Sequence, residues 1–309
     1  MFCDRISSIP YMNNDTQKVA AIVVTFNRKD LLPQCLEGIF TQTRKVDHIF
    51  LIDNASTDGT VEVVQELYKN NHAITYVRLT ENTGSAGGFH EGVKAAYEWG
   101  ADWIWFLDDD VSPRLDCLEI MLTYEHISQC IHPHKRDSEG KDFIWESVFS
   151  PATVSATFLD NLSFKNGKDF TFVNMGCFEG MLIHRDIVKK IGFPDKSFFI
   201  AGDDVLYGFF ASFYTNVIYV KDAMLDKLVP FNRISSPIFL YYAVRNQFLI
   251  RNRIKEIGLY NKRLFRLYLF SFVLYSVSKQ TIRNKSLKTP VYIMQGLIDG
   301  MRGKFFKKS

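Results

Sequence analysis

Between residues 19 and 110, continuous apolar runs alternate with amphipathic ones at regular spacing. Residues 19–26 (VAAIVVTF) form an unbroken, β-branched run, the pattern of a parallel strand buried on both faces. Residues 30–40 place Leu31, Leu32, Cys35, Leu36 and Ile39 at helical spacing. A second strand is predicted over 48–53 (HIFLID), and a turn rich in cap residues over 54–59 leads into a second helix at 60–69. Residues 74–79 predict a third strand, 81–88 a Gly-rich loop, 89–99 a third helix and 103–107 (WIWFL) a fourth strand. A βαβαβαβ series of this kind predicts an open, mostly parallel α/β sheet flanked by helices, with its ligand site beyond the carboxyl ends of the strands.

Polar residues gather at those ends: Thr25, Phe26, Asn27 and Arg28 after the first strand, Asp53 and Asn54 after the second, Glu81 and Asn82 after the third. The fourth strand runs directly into Asp108, Asp109 and Asp110. Adjacent carboxylates at a buried strand end repel one another unless a cation or a proton relieves them. Hard divalent ions with oxygen ligands do this commonly, although a solvated acidic turn reads the same way in sequence. Thr25 and Asn27 can hydrogen-bond a base or ribose, Arg28 can pair with a phosphate, and Asp53 can accept from a base N–H or a ribose hydroxyl or simply cap a turn. Gly84, Gly87 and Gly88 allow close backbone approach to a ligand, but their spacing matches neither a dinucleotide fingerprint nor a P-loop.

The pattern weakens further along. Residues 130–175 and 205–240 show no readable periodicity, apart from a helix expected after a second acidic pair, Asp203-Asp204. One of that pair could serve as a general base, or both could belong to a helix N-terminus. Helices are expected near 241–260 and over 264–277. The charge-free stretch 267–277 is about half the roughly 20 residues of a membrane-spanning helix, so it reads as interfacial or core.

Composition adds two constraints. The five cysteines (Cys3, Cys35, Cys117, Cys130, Cys177) are scattered and lack a CxxC pair, which argues for reduced thiols and against a zinc site or a disulfide framework. The N-terminal stretch lacks the basic patch and apolar core of a signal peptide, consistent with a cytoplasmic protein. Net charge is +3, but residues 241–309 hold 15 Lys and Arg against 2 Asp and Glu, leaving 22 against 32 in the remainder. A basic tail on an acidic body implies a polyanionic partner, either nucleic acid or an anionic membrane surface.

Taken in order, VVTFNR (23–28), LIDNASTDGT (51–60), ENTGSAGGFHEG (81–92), WFLDDDVSP (105–113), GCFEGMLIHRDIVKKIGFPDKSFFIAGDDVLY (176–207) and YYAVRN (241–246) resemble glycosyltransferase family 2 and its GT-A fold. The likeness is closest to bacterial galactofuranosyltransferases and rhamnosyltransferases. It implies inverting, metal-dependent transfer of a sugar, galactofuranose from UDP-galactofuranose or rhamnose from dTDP-rhamnose. The acceptor would be a glycan hydroxyl, lipid-diphosphate-linked, in surface polysaccharide synthesis. Thr25, Phe26, Arg28 and Asp53 would then bind the nucleotide, with Asn82, Gly84 and Gly87 near the diphosphate or sugar. Asp108 and Asp110 would hold Mn²⁺ or Mg²⁺, with Asp109 contacting ribose or metal. Asp204 would be the base, oriented by Asp203, and Glu179 and Gly180 would face the donor sugar or acceptor. Where relatives often carry a histidine metal ligand, Asp226 is the expected substitute. The implied organisation is an extension at 1–18, a catalytic domain at 19–237 divided into a nucleotide-binding half (19–110) and an acceptor half (111–237), and a basic, aromatic-rich helical region at 238–309.

Two rivals remain. A metal-dependent phosphotransferase would need a phosphoryl-accepting aspartate after the first strand, where this chain has Thr25-Phe26-Asn27. A nucleic-acid-binding protein would use the tail, but the tail's charges alternate with Leu, Phe and Tyr, as in segments that lie on the cytoplasmic face of an inner membrane.

Overall fold

A computed structural model of the chain describes residues 17–159, 164, 168–230 and 236–305. Almost all of the expected N-terminal extension, and residues 306–308 of the basic tail, lie outside the described residues. The first half follows its periodicity: β1 (Val19–Thr25), α1 (Leu32–Phe40), β2 (His48–Asp53), α2 (Thr60–Tyr68), β3 (Ile74–Arg78), α3 (Gly84–Trp99) and β4 (Trp103–Asp108). All seven β1 residues are buried. Its odd positions pack with α1 and with Val64 of α2. Its even positions pack with Phe89, Val93 and Ala96 of α3. Burial on both faces explains why the strand reads as a continuous apolar run.

One boundary differs from expectation. The Gly-rich stretch is not a loop throughout, because α3 begins at Gly84. Asn82 accepts from the Gly84 amide at 2.8 Å, and Asn54 accepts from the Thr83 amide at 3.2 Å, so side chains satisfy donors that the start of the helix leaves open.

The second half holds β5 (Val111–Pro113), α4 (Cys117–Leu122), β6 (Cys130–Arg136), β7 (Asp142–Phe143), β8 (Ser147–Ser150), β9 (Ser155–Phe158), β10 (Phe170–Val173), β11 (Leu182–His184), α5 (Arg185–Ile191), α6 (Asp203–Ala211) and β12 (Val217–Lys227). The main sheet runs β10-β12-β6-β11-β4-β1-β2-β3. Strands β1 to β4 are mutually parallel, and β12 is parallel to β6, while the short β11 lies antiparallel between β4 and β6. The sheet is therefore parallel in the first half and mixed in the second.

This topology fixes the site. The carboxyl ends of β1, β2, β3, β4, β6 and β12 all point to one edge, and the start of β11 arrives at that same edge because it runs against β4.

Among the described residues, four α-helices follow the sheet: α7 (Pro237–Glu256), α8 (Lys262–Tyr275), α9 (Thr281–Asn284) and α10 (Lys288–Met301). Helix α7 opens with Ser236 accepting from the Phe239 amide and with Pro237 at its first position, both strong start signals. Its Phe248, Leu249 and Ile250 share a core with Phe198 and with Leu206 and Phe209 of α6. Among the described residues, no helix is long and apolar enough to cross a membrane.

Candidate active site

The first three strand ends form a frame of short hydrogen bonds. Asp53 is fully buried; it accepts from the Ser56 amide at 2.8 Å and from the Tyr76 hydroxyl at 2.6 Å, and Arg78 lies 3.6 Å away. Asn27, with φ 53°, accepts from the Thr57 amide at 2.8 Å and donates its own amide to Ser56 Oγ at 2.9 Å. Thr25 is buried, whereas the Phe26 ring is 40% exposed. Arg28 stands 4.0 Å from Asp110 with its side chain 43% exposed. An open aromatic face and an exposed guanidinium at a strand end suit a base and a phosphate.

The glycines expected near the donor are held by protein instead. A Cβ on Gly84, at φ +75°, would sit 2.0 Å from the Phe199 carbonyl oxygen, and one on Gly87 would meet the Thr83 side chain at 2.2 Å. The Phe199 carbonyl accepts from the Ala86 amide at 3.1 Å. The close backbone approach that requires glycine at 84 is thus to Phe199, in the segment that precedes the second acidic pair.

At the fourth strand end the three aspartates diverge. Asp109 is buried and accepts from the Phe26 amide at 3.2 Å; burial pushes its carboxyl up to about 6, against the pull of the Thr25 hydroxyl. Asp108 and Asp110 face Glu179, and carboxylate oxygens of all three lie within 4.8 Å of one another. Burial, then Glu179 and Asp110, raise Asp108 well above the usual carboxylate range. Surplus negative charge on hard oxygen donors is what a divalent ion relieves, so this triad could hold one.

Glu179, expected to face the sugar or acceptor, thus belongs with the metal candidates. It reaches them because β11 enters the sheet at the carboxyl end of β4, where Gly180 donates to the Phe106 carbonyl at 2.9 Å. Gly180 itself packs on Pro133 and so lies inside the frame.

Asp226, expected as a metal ligand, lies outside the triad. Arg136 donates to its carboxylate from Nε and Nη2, both at 2.7 Å, and Arg114 is 3.5 Å away. Successive strand residues face opposite sides, so with Asp226 turned to Arg136 it is Lys227 that points at the acids. Its ammonium is 3.1 Å from Asp110 Oδ1 and also donates to Glu179.

A second lysine escaped the sequence reading. Lys135, at the end of β6, is 1% exposed and donates to Glu179 at 2.7 Å and to Cys177 Sγ at 3.1 Å. Burial alone would raise the Glu179 carboxyl, but Lys135 and Lys227 hold it at about 2.

The second acidic pair divides by direction. Asp204 lies against the Cys177 thiol within reach of Lys135's field; burial raises its carboxyl, and the Val205 amide and Lys135 pull it back. Asp203 instead lines a separate cavity of about 410 Å³ with His90, Phe193, Tyr207 and Arg253, and its Oδ2 is buried without a partner. Only Asp204 looks toward the acid–lysine centre. The segment before the pair is strained, with Phe199 at φ 65° and Ala201 at φ 74°. Helix α7 holds it: Asn246 Nδ2 donates to the carbonyls of Phe198, Ile200 and Ala201 at 3.1, 2.8 and 2.7 Å, and Arg245 Nη2 to those of Ser197 and Phe198.

Comparison with known proteins agrees with this architecture. Residues 20–192 match the model of the family described as Glycosyl transferase family 2. Galactofuranosyltransferase GlfT1 of Mycolicibacterium smegmatis is 28% identical over 208 residues, covering 62% of this chain and 64% of the relative, so the likeness spans just under two thirds of that protein. A crystal structure of S. aureus TarS 1-349 in complex with UDP superposes with a TM-score of 0.58 at 15% identity, over 93% of this chain and 80% of TarS. The mannosyltransferase PcManGT from Pyrobaculum calidifontis, in complex with GDP-Man and Mn²⁺, gives a TM-score of 0.59 at 16% identity, over 93% and 88%. The chain belongs to glycosyltransferase family 2 and has the GT-A fold that its motifs resemble.

Proposed function

We propose that this family 2 protein transfers galactofuranose, with inversion, from UDP-galactofuranose to a hydroxyl of a lipid-diphosphate-linked glycan. The observation that carries the reading is the gathering of Asp108, Asp110, Glu179, Lys135, Lys227 and Asp204 at one sheet edge beside the exposed Phe26 and Arg28. The similarity to GlfT1 supports the sugar.

The exposed Phe26 ring offers a stacking face for the base, and Arg28 offers a partner for a phosphate. A Mn²⁺ or Mg²⁺ ion held by Asp108 and Asp110, with Glu179 beside them, would supply Lewis-acid stabilisation of the departing diphosphate. Asp204 takes the proton of the acceptor hydroxyl as that oxygen bonds to the anomeric carbon and the bond from that carbon to the diphosphate oxygen breaks. Attack from the face opposite the leaving group inverts the centre. Lys135, with Lys227, keeps Glu179 anionic in a site that burial would otherwise protonate, and it partly offsets the burial that raises Asp204.

The test is a donor screen of UDP-galactofuranose, dTDP-rhamnose and UDP-hexopyranoses with a polyprenyl-diphosphate-linked acceptor, with and without a chelator. Transfer from UDP-galactofuranose, lost on chelation, is expected. Preference for dTDP-rhamnose would move the assignment to a rhamnosyltransferase, and binding of no nucleotide diphosphate would sink it.

We place the protein at the periphery of the inner membrane's cytoplasmic face, a reading that the C-terminal helices support. Leu267, Phe270 and Leu274 of α8 and Val291, Met294 and Ile298 of α10 are exposed at helical spacing, while Phe265 and Ile293 are buried. An outward apolar stripe flanked by exposed Arg266, Lys279, Lys285 and Lys288 fits an anionic lipid surface better than nucleic acid. Deleting the tail would strip α10 from α7, where Gly296 lies against the Tyr241 carbonyl. The cleaner test is therefore Leu267→Glu with Phe270→Glu, assayed on vesicles with and without anionic lipid. Loss of vesicle binding with an unchanged melting temperature is expected, and undiminished binding would count against the membrane role.

A further inference from the structure

Lys227 has a place in the donor site that no ordinary surface lysine has. The backbone fixes it: it pairs with Val111 in the β12–β5 register, and the next amide, Leu228, donates to the Asp110 carbonyl at 2.8 Å. Its side chain is 17% exposed, and its ammonium bridges two of the three carboxylates that could hold a metal. The neighbouring acid, Asp226, is committed to Arg136 and Arg114.

We infer that Lys227 is a resident cation of the donor site, which holds the acidic triad closed to a free divalent ion and hands it over only when a nucleoside diphosphate arrives. This rests on the nucleotide-sugar reading above. An ammonium is already a cation and carries no lone pair to offer a metal, so it competes with the ion for the same carboxylate oxygens. Two cations within a few ångströms of each other repel strongly in a partly buried site. A diphosphate changes the balance. It brings anionic oxygens that can accept from the ammonium, so Lys227 exchanges Asp110 and Glu179 for phosphate while the ion takes the freed carboxylates. Ion and nucleotide then bind with positive coupling, and linkage requires that each strengthen the other by the same factor. Lys227 also becomes a direct contact of the departing diphosphate, a role the sequence reading had not given to any lysine.

The experiment is a Mn²⁺ titration read by the electron paramagnetic resonance signal of the free ion, on the full chain with and without UDP, alongside calorimetric UDP binding in chelator. Lys227→Met removes the charge and keeps much of the length, and Lys227→Gln is the second neutral variant should the first not fold. Lys227→Arg keeps the charge. Without UDP, both neutral variants should bind Mn²⁺ at least about tenfold more tightly than the wild type, while Lys227→Arg should not. In chelator, the neutral variants should bind UDP about tenfold more weakly. Mn²⁺ affinity without UDP that is the same in wild type and neutral variants overturns the inference, even if UDP binds normally. Failure of every variant and of the wild type to bind UDP would overturn the nucleotide-sugar reading instead, leaving the Mn²⁺ comparison to judge the competition.

Discussion

The frame around Asp53 and the charge centre around Glu179 share one sheet edge and are built in opposite ways. In the frame, polar groups find partners within about 30 residues: Asp53 with Ser56 and Tyr76, Asn27 with Ser56 and Thr57, Asn54 with Gly84. In the centre the partners come from far apart: Lys135 and Glu179 are 44 residues distant, Lys227 and Glu179 48, and Lys227 and Asp110 117. The frame has its hydrogen bonds and shapes loops. The centre crowds carboxylates until burial and mutual repulsion raise Asp108 and burial raises Asp204, and a buried Lys135 and a half-buried Lys227 hold Glu179 down. Unrelieved charge marks where chemistry is done, and satisfied hydrogen bonds mark what keeps the site in shape.

The sharpest way to break that comparison is Asp204→Asn. General-base catalysis contributes about 10² to 10⁴ in rate, so kcat should fall by about 10³ while Mn²⁺ and UDP affinities stay close to wild type. Thermal stability should hold or rise, since a buried carboxyl with a raised pKa is being removed. Turnover within tenfold of wild type would place the proton acceptor elsewhere.

Two changes probe what supports the centre. Lys135→Met leaves Glu179 with one cation fewer in a buried site, and breaking a buried pair costs about 3 kcal/mol, read as a fall in melting temperature. A loss below about 1 kcal/mol would mean that Lys227 alone can hold Glu179. Asn246→Ala unbinds three carbonyls of the strained 198–201 segment and should cost about 2 kcal/mol. It should also lower kcat more than it raises the donor KM, because that segment places Asp204 and not Phe26. Equal effects on both would show that the segment positions the donor as well.

How far the sequence carried this picture follows the same division. Strands β1, β2 and β4 were legible because burial on both faces writes a continuous apolar run. Asp108–Asp110 and Asp203-Asp204 were legible because acidic clusters at element ends are conspicuous. Strand β12 was not: Lys221, Asp222, Asp226 and Lys227 interrupt it, and its pairing with β6 shifts register between Val220 and Met224. Lys135 and Lys227 read as surface charges because nothing local shows that Glu179 will meet them. Asp226 was expected at the metal, whereas it faces Arg136 and Lys227 faces the acids, because alternation along a strand cannot be phased until the strand is seen. At Gly84 the sequence showed that something approaches closely, and the structure adds that the Phe199 carbonyl does so.

A buried histidine ties the charge centre to the sheet. His132 is fully buried in β6 and stacked on Tyr219, with ring centroids 4.7 Å apart. Its Nε2 accepts from the Cys177 amide at 3.3 Å, so Nδ1 carries the proton and donates to the Ile218 carbonyl, also at 3.3 Å. Both ring nitrogens are thus committed in the neutral form, and a second proton would set N–H against N–H at Cys177. Burial, with Lys135 nearby, lowers its pKa to about 3. In the unfolded chain it titrates near the usual histidine value, about 6.5. Below that value the unfolded state gains a proton that the folded state refuses, so stability falls with pH until the folded value is reached. Between pH 7 and pH 5 this should remove about 1 to 2 kcal/mol. The raised carboxyls of Asp108, Asp203 and Asp204 act in the opposite direction, because the folded state takes protons there first. The informative quantity is therefore the difference between wild type and His132→Gln, whose amide can keep a donor and an acceptor. If His132 is the neutral pin that joins residues 176–179 to β6 and β12, the variant is less stable at pH 7 and the gap narrows by about 1 to 2 kcal/mol at pH 5 in chelator. A gap that stays constant across that range would mean that His132 takes up its proton as readily in the fold as in the unfolded chain, and that it is no neutral pin.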